Sequence, residues 1–243
     1  MSTITTHKEA FTIRASEVQN GGYATVPAIC GLFQEVAGNH ALKLNFDITQ
    51  LHAKNLTWVL HRLNMKMNRY PEWRENVVVE TWPAAGDALR AYRDYTITDA
   101  NGTVIGNCLS YWMMINLETR KPTRMPEEVL ALRLGNLEHV MDIKSNRLSP
   151  IQKIDAEKQF QVRSSDLDMN LHVNNTIYLE WMLETLTAEL QQSVLEVDIV
   201  FTKECLNGEN IRSIVEMVSE NESHHQLINQ DGETIALATF LFN

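Results

Sequence analysis

The stretch Phe11-Thr12-Ile13-Arg14-Ala15-Ser16-Glu17-Val18 returns in altered form as Phe160-Gln161-Val162-Arg163-Ser164-Ser165-Asp166-Leu167, an offset of 149 positions. The match continues without a gap, placing Gly22 on Leu171, Tyr23 on His172, Leu32 on Trp181 and Glu35 on Glu184. Self-similarity at a long period marks one supersecondary unit used more than once. The sequence therefore predicts two copies of one fold.

In each copy a short extended stretch leads into one helix and then into runs with strand character. In the first copy Pro27 suits an opening helical turn, and Ile29, Leu32, Phe33, Val36 and His40 recur at helical spacing to about Leu44. Strands are expected at Leu56 to Met67, Val77 to Trp82, Leu89 to Thr98 and Val104 to Asn116, the last two joined by a turn at Asp99-Ala100-Asn101-Gly102. The second copy offers a helix from about Asn175 to Leu190. Strands follow near Leu195 to Lys203, Ile211 to Ser219, His224 to Asn229 and Thr234 to Phe242, with Asp231-Gly232 as a hairpin turn. A long apolar helix followed by an antiparallel sheet is buried best when the sheet curls around it, which predicts an α+β layer arrangement. From Gly135 to Lys158 periodicity is weak, so the expected organisation is residues 1–135, a linker at 136–158, and residues 159–243.

Composition narrows the chemistry. A formal charge of −10 argues against general nucleic-acid affinity, which needs clustered Lys and Arg. With ten glycines and no glycine-rich phosphate loop, H-E-x-x-H or G-x-S-x-G, nucleotide-dependent chemistry is not expected. Cys30, Cys108 and Cys205 lack metal-ligand or C-x-x-C spacing, which fits buried reduced thiols. His224 and His225 are adjacent and would point to opposite faces of a strand. Neither metal nor cofactor is therefore expected. The polar start, Met1 to Glu9, and the want of a long apolar run suggest a cytoplasmic protein.

Between Asp166 and Val173 polar and apolar residues alternate: Asp166, Asp168, Asn170 and His172 against Leu167, Met169, Leu171 and Val173. If extended, the stretch aims its polar side chains one way. Alternation alone equally describes a half-buried strand with its polar face in water. The row runs into Asn174-Asn175, either of which could cap a helix beginning near Thr176. Free amides and the positive dipole end there could hold a developing oxyanion. The same stretch of the first copy, Gln19-Asn20-Gly21-Gly22-Tyr23, lacks both the carboxylate and the imidazole.

At this point the chain resembles the plant and bacterial acyl–acyl-carrier-protein thioesterases, which are double-hotdog enzymes. The resemblance rests on D-x-N-x-H-V-N-N at 168 to 175 and on Glu204-Cys205 within Phe201-Thr202-Lys203-Glu204-Cys205. Further blocks are Asn55-Leu56-Thr57-Trp58-Val59-Leu60-His61-Arg62, Arg69-Tyr70-Pro71-Glu72-Trp73 and Trp112-Met113-Met114-Ile115-Asn116, so it covers nearly the whole chain. It implies a tandem hotdog and hydrolysis of fatty acyl thioesters on acyl carrier protein, releasing free fatty acid and ending synthesis. It implies a catalytic network of Asp168, Asn170, His172 and Glu204. Cys205 is either a nucleophile or a bystander to carboxylate-activated water; the second is preferred, because thiol attack only exchanges one thioester for another. Asn174 and Asn175 would then sit at the substrate carbonyl. The resemblance also makes the first helix line the acyl tunnel, with Phe33, Val36, Ala37 and His40 as wall residues, though a helical apolar stripe is usually core and His40 fits a core histidine. Against plant members the sequence shows no transit peptide or hydrophobic anchor, which implies a bacterial version.

Acyl carrier proteins are acidic, so docking on an acidic chain requires a local cationic patch, for which Arg62, Arg69, Arg74, Arg120, Lys121 and Arg124 are candidates. A homodimer is allowed but not specified. Three readings compete on the same fold: a coenzyme A thioesterase, a dehydratase, and a non-catalytic acyl-binding protein.

Overall fold

A computed structural model describes residues 6–84, 86–132 and 138–243. The chain forms two compact units, the first ending at Lys144 and the second made of Thr25–Ala28 with Ser145–Asn243. The expected boundary at residues 135 and 136 lies outside the described residues.

The first half runs β1 (His7–Thr12), α1 (Val26–Lys43), α2 (Ile48–His52), β2 (Leu56–Met67), β3 (Asn76–Ala84), β4 (Arg90–Asp99), β5 (Val104–Asn116) and α3 (Glu127–Leu130). Its strands are ordered β1-β3-β4-β5-β2 and are antiparallel throughout. Ile29, Cys30, Phe33, Val36, Ala37 and His40 of α1 are buried at the spacing of one helical face, with the Phe33 ring 5.2 Å from that of Tyr95 on β4. The β4–β5 hairpin turns at Gly102, whose φ of +82° suits glycine, while Asp99 accepts hydrogen bonds from the amides of Asn101 and Thr103. Residues 138–144 lie along this sheet: buried Asp94 accepts from His139 Nδ1 at 2.8 Å and from the Val140 amide at 3.0 Å, and the Lys144 amide donates to the Tyr111 hydroxyl at 2.6 Å.

The second half runs β6 (Ala156–Gln161), α4 (Asn175–Leu183), α5 (Ala188–Ser193), β7 (Val194–Phe201), β8 (Asn210–Ser219), β9 (Glu222–Asn229) and β10 (Thr234–Phe242). Its order is β7-β10-β9-β8-β6. Counted from its own first strand, each half thus has the order first, third, fourth, fifth, second. The duplication seen in the sequence is a duplication of topology.

The helix expected from Asn175 to Leu190 is interrupted. Glu184 closes α4, the Thr185 hydroxyl donates to the Met182 carbonyl at 2.7 Å, and Thr187 caps a new helix by accepting from the Leu190 amide. Two threonines compete with the backbone for its own hydrogen bonds, and a turn wins over the helical period. Apolar periodicity cannot see this, because Leu186 stays buried through the break.

Candidate active site

The sequence reading of Asp166 to Val173 as an extended row is overturned. Ser164–Asp166 is a 3-10 turn, Leu167 and Val173 bridge one another, and the chain reverses between them. The Asp168 amide donates to the His172 carbonyl at 2.7 Å and the Leu171 amide to the Asp168 carbonyl at 3.1 Å. Asp166 has no place in the chemistry: it is buried against Arg163, accepting from that residue's amide at 2.8 Å and its guanidinium at 2.7 Å. The guanidinium and amide hold its carboxyl below the usual range against the opposing effect of burial, which is the largest single influence on it.

What fixes the reversal is the Asp168 carboxylate. Its Oδ1 accepts from the Asn170 amide at 2.7 Å and the His172 amide at 3.2 Å, and its Oδ2 receives the Asn170 side-chain amide at 3.4 Å. A carboxylate bonded to amides two and four residues on is a stable local turn. Leu171 sits at its tip with φ +63°. The first half builds the same turn with Gln19 for Asp168: the Gln19 amide bonds to the Tyr23 carbonyl at 3.1 Å and the Gly22 amide to the Gln19 carbonyl at 3.0 Å. Gly22, with φ +80°, occupies the place of Leu171.

Glu204 comes to this turn from the segment after β7. The Val173 amide donates to the Cys205 carbonyl at 3.2 Å, and His172 Nε2 lies 3.5 Å from Glu204 Oε2. Both groups are open to solvent, His172 at 28% and Glu204 at 37%. Cys205 is fully buried, and burial pushes its thiol up to about 11. Beneath them stands a residue the sequence reading passed over: Tyr178, buried on α4, donates its hydroxyl to the Lys203 carbonyl at 3.2 Å. The counterpart of this arrangement was present in the first half as well. There the Ala24 amide bonds to the Pro71 carbonyl at 2.9 Å, so Cys205 stands where Pro71 does, Glu204 where Tyr70 does, and His172 where Tyr23 does. The first copy keeps the scaffold and carries neither a carboxylate nor an imidazole at these positions.

At the helix N-terminus one of the two expected cap residues does the capping and takes up part of the backbone amides there. Asn174 is the cap, its Oδ1 accepting from the Thr176 amide at 3.0 Å, while the Ile177 amide bonds to the Asn174 carbonyl at 3.0 Å and the Asn174 amide to the Asp166 carbonyl at 2.9 Å. Those donors are spent on the fold. Asn175 opens the first turn of α4.

Asp168, Asn170, His172, Glu204 and Cys205 are thus gathered within the second unit. Phe33, Val36, Ala37 and His40 are packed in the first unit's core, where His40 Nδ1 lies 3.0 Å from an Arg93 guanidinium nitrogen. Of the cationic candidates, Arg62 is withdrawn: it is buried and donates to the Lys144 carbonyl at 3.1 Å. Arg69 is paired with Glu75 and Asp99. Arg74, Arg120, Lys121 and Arg124 are exposed. His225 is buried and His224 half-exposed beside Glu222, on opposite faces of β9.

Residues 5–132 match the acyl-ACP thioesterase N-terminal domain and residues 150–243 the acyl-ACP thioesterase C-terminal domain. The chain is 32% identical to the oleoyl-acyl carrier protein thioesterase of Coriandrum sativum over 95% of its own length and 68% of the relative's, and 30% identical to oleoyl-acyl carrier protein thioesterase 2 of Arabidopsis thaliana over 94% and 67%. An acyl-ACP thioesterase structure from Bacteroides thetaiotaomicron superposes with a TM-score of 0.90 at 27% identity, covering 98% of both chains. The 12:0-ACP thioesterase of Umbellularia californica gives 0.87 at 25% identity, covering 98% of this chain and 97% of that one. Fold and relatives define a thioester hydrolase of the tandem-hotdog class. Within that class, the chain belongs to the acyl-ACP thioesterase family.

Proposed function

We propose that this protein releases free fatty acid from acyl carrier protein by a water attack that Glu204 and His172 activate together. The observation that carries the reading is the approach of His172 Nε2 to Glu204 Oε2 at 3.5 Å, both side chains reachable from solvent. A water beside the pair, hydrogen-bonded to both groups, gives its proton to them as its oxygen attacks the thioester carbon. Asn170 spends one side-chain N–H on Asp168 and has a second to donate to the carbonyl oxygen as charge develops. Collapse breaks the C–S bond, and the proton held by the pair passes to the departing sulfur, leaving a carboxylic acid and a thiol.

Asp168 serves here as a positioning residue, because its oxygens are engaged in holding the turn. Cys205 stays protonated: a fully buried thiol pushed up to about 11 is a poor nucleophile at neutral pH. Carrier docking falls to exposed cations among Arg74, Arg120, Lys121 and Arg124. The three cysteines are free and buried, in keeping with a reducing bacterial cytoplasm; among the described residues no helix is long and apolar enough to cross a membrane.

The purified protein should be assayed on matched acyl chains carried by acyl carrier protein and by coenzyme A, with the free acid measured. Faster release from the carrier protein supports the reading. Faster release from coenzyme A would replace it with the coenzyme A thioesterase, and an enoyl product without free acid would replace it with a dehydratase.

A further inference from the structure

Among the described residues, the two most exposed large apolar side chains are Met169, at 80%, and Leu171, at 70%. They bracket Asn170, and Leu171 directly precedes His172, so both stand at the mouth of the site proposed above. Leu206, 52% exposed, follows Cys205 on the facing segment. Single exposed apolar residues are ordinary, but Leu171 is not placed ordinarily. At φ +63° it holds a left-handed conformation that disfavours a side chain branched like leucine. The other copy of the turn has Gly22 there, with φ +80°. The turn therefore accepts the residue best suited to this backbone, and the chemically equipped copy carries a strained, solvent-facing leucine instead. A strained residue kept beside an active site calls for a function.

We propose that Leu171, with Met169 and Leu206, forms an apolar rim that binds the pantetheine arm of the thioester substrate and so sets how strongly the enzyme favours a full arm over a truncated one. The inference rests on the hydrolase reading above. A thioester whose carbonyl reaches Asn170 and the His172–Glu204 pair must lead its sulfur side out across the turn that carries these residues. Pantetheine alternates short methylene stretches with amides and finishes in a hydroxylated unit that carries a gem-dimethyl group. Apolar contacts on either side of an amide-bearing Asn170 suit that alternation, and removal of the methylenes and methyls from water supplies the attraction. An N-acetylcysteamine thioester keeps the reacting atoms and the first methylenes but lacks the gem-dimethyl end.

The test compares kcat/KM on an acyl-pantetheine and on the same acyl N-acetylcysteamine thioester for the wild type, Leu171→Asn and Leu171→Gly. Asparagine tolerates the left-handed region, so Leu171→Asn keeps the turn while removing the apolar contact. Both variants should reduce the ratio of the two kcat/KM values about tenfold, mainly through KM on the pantetheine substrate. Leu171→Gly should also raise Tm by roughly 2–4 °C, as strain is relieved. An unaltered ratio in both variants, or an equal loss on both substrates, would overturn the rim and leave the hydrolase reading standing. A wild type inert on both small thioesters but active on acyl-acyl carrier protein would overturn the rim alone; one inert on the carrier-linked substrate as well would overturn the hydrolase reading and the rim with it.

Discussion

The hydroxyl of Tyr178 donates to the carbonyl of Lys203 across 3.2 Å, tying the segment that carries Glu204 to the helix that follows His172. The phenol ring is held by Trp181, 5.7 Å away, and by Phe201, 5.4 Å away. Tyr178→Phe removes the tether and keeps the packing. It should cost about 1 kcal/mol of stability and lower kcat roughly threefold to tenfold with KM little changed, since only the placement of Glu204 is loosened. Steady-state kinetics on acyl carrier protein would show this; a rise in KM at constant kcat would mean that Tyr178 acts on binding.

Cys205 separates two chemistries. With its thiol buried and pushed up to about 11, Cys205→Ala should keep turnover within about tenfold of wild type, with a stability loss on the order of 1 kcal/mol from the lost packing. Removal of a nucleophile would instead cost at least ~10⁴-fold. A rate assay paired with urea unfolding distinguishes them.

His225 makes stability depend on pH. Burial, with a smaller contribution from neighbouring His224, holds the imidazole down to about 3, against 6.5 for the unfolded chain. Between those values the unfolded state binds a proton that the folded state refuses, so this contribution to stability is whole above pH 6.5 and drains away as pH falls toward 3. The expected slope is about 1.4 kcal/mol per pH unit. Urea titrations at pH 7.5 and 4.5 should show the loss, and His225→Phe should flatten it, although Ser223, which lies 2.7 Å from His225 Nε2, then loses its partner.

Much of the fold was legible because apolar period and turn residues are local signals: β2, β5 and β10 begin and end where the pattern placed them. The reversal at 168 to 172 was not. Alternation in Asp168-Met169-Asn170-Leu171-His172 is indistinguishable from a strand until one sees the Asp168 carboxylate bonded to two amides of its own turn. At the helix N-terminus the cap itself was legible, since Asn174 was one of the two cap candidates and its side chain takes up the Thr176 amide. Tyr178 was missed because its task lies in a contact 25 residues away along the chain. The correspondence of residues 69–75 with 203–209 was likewise out of reach, because the two stretches share only their final glutamate and are matched by backbone bonds, Ile13 to Glu75 and Val162 to Glu209.

The central claim is that the Glu204 carboxylate, with His172, activates the attacking water. Single-turnover hydrolysis of acyl-acyl carrier protein by Glu204→Gln, with folding checked by urea denaturation, tests it most directly. The account predicts a rate lower by ~10²–10⁴-fold in a protein as stable as wild type; a folded Glu204→Gln variant that turns over at the wild-type rate would contradict it.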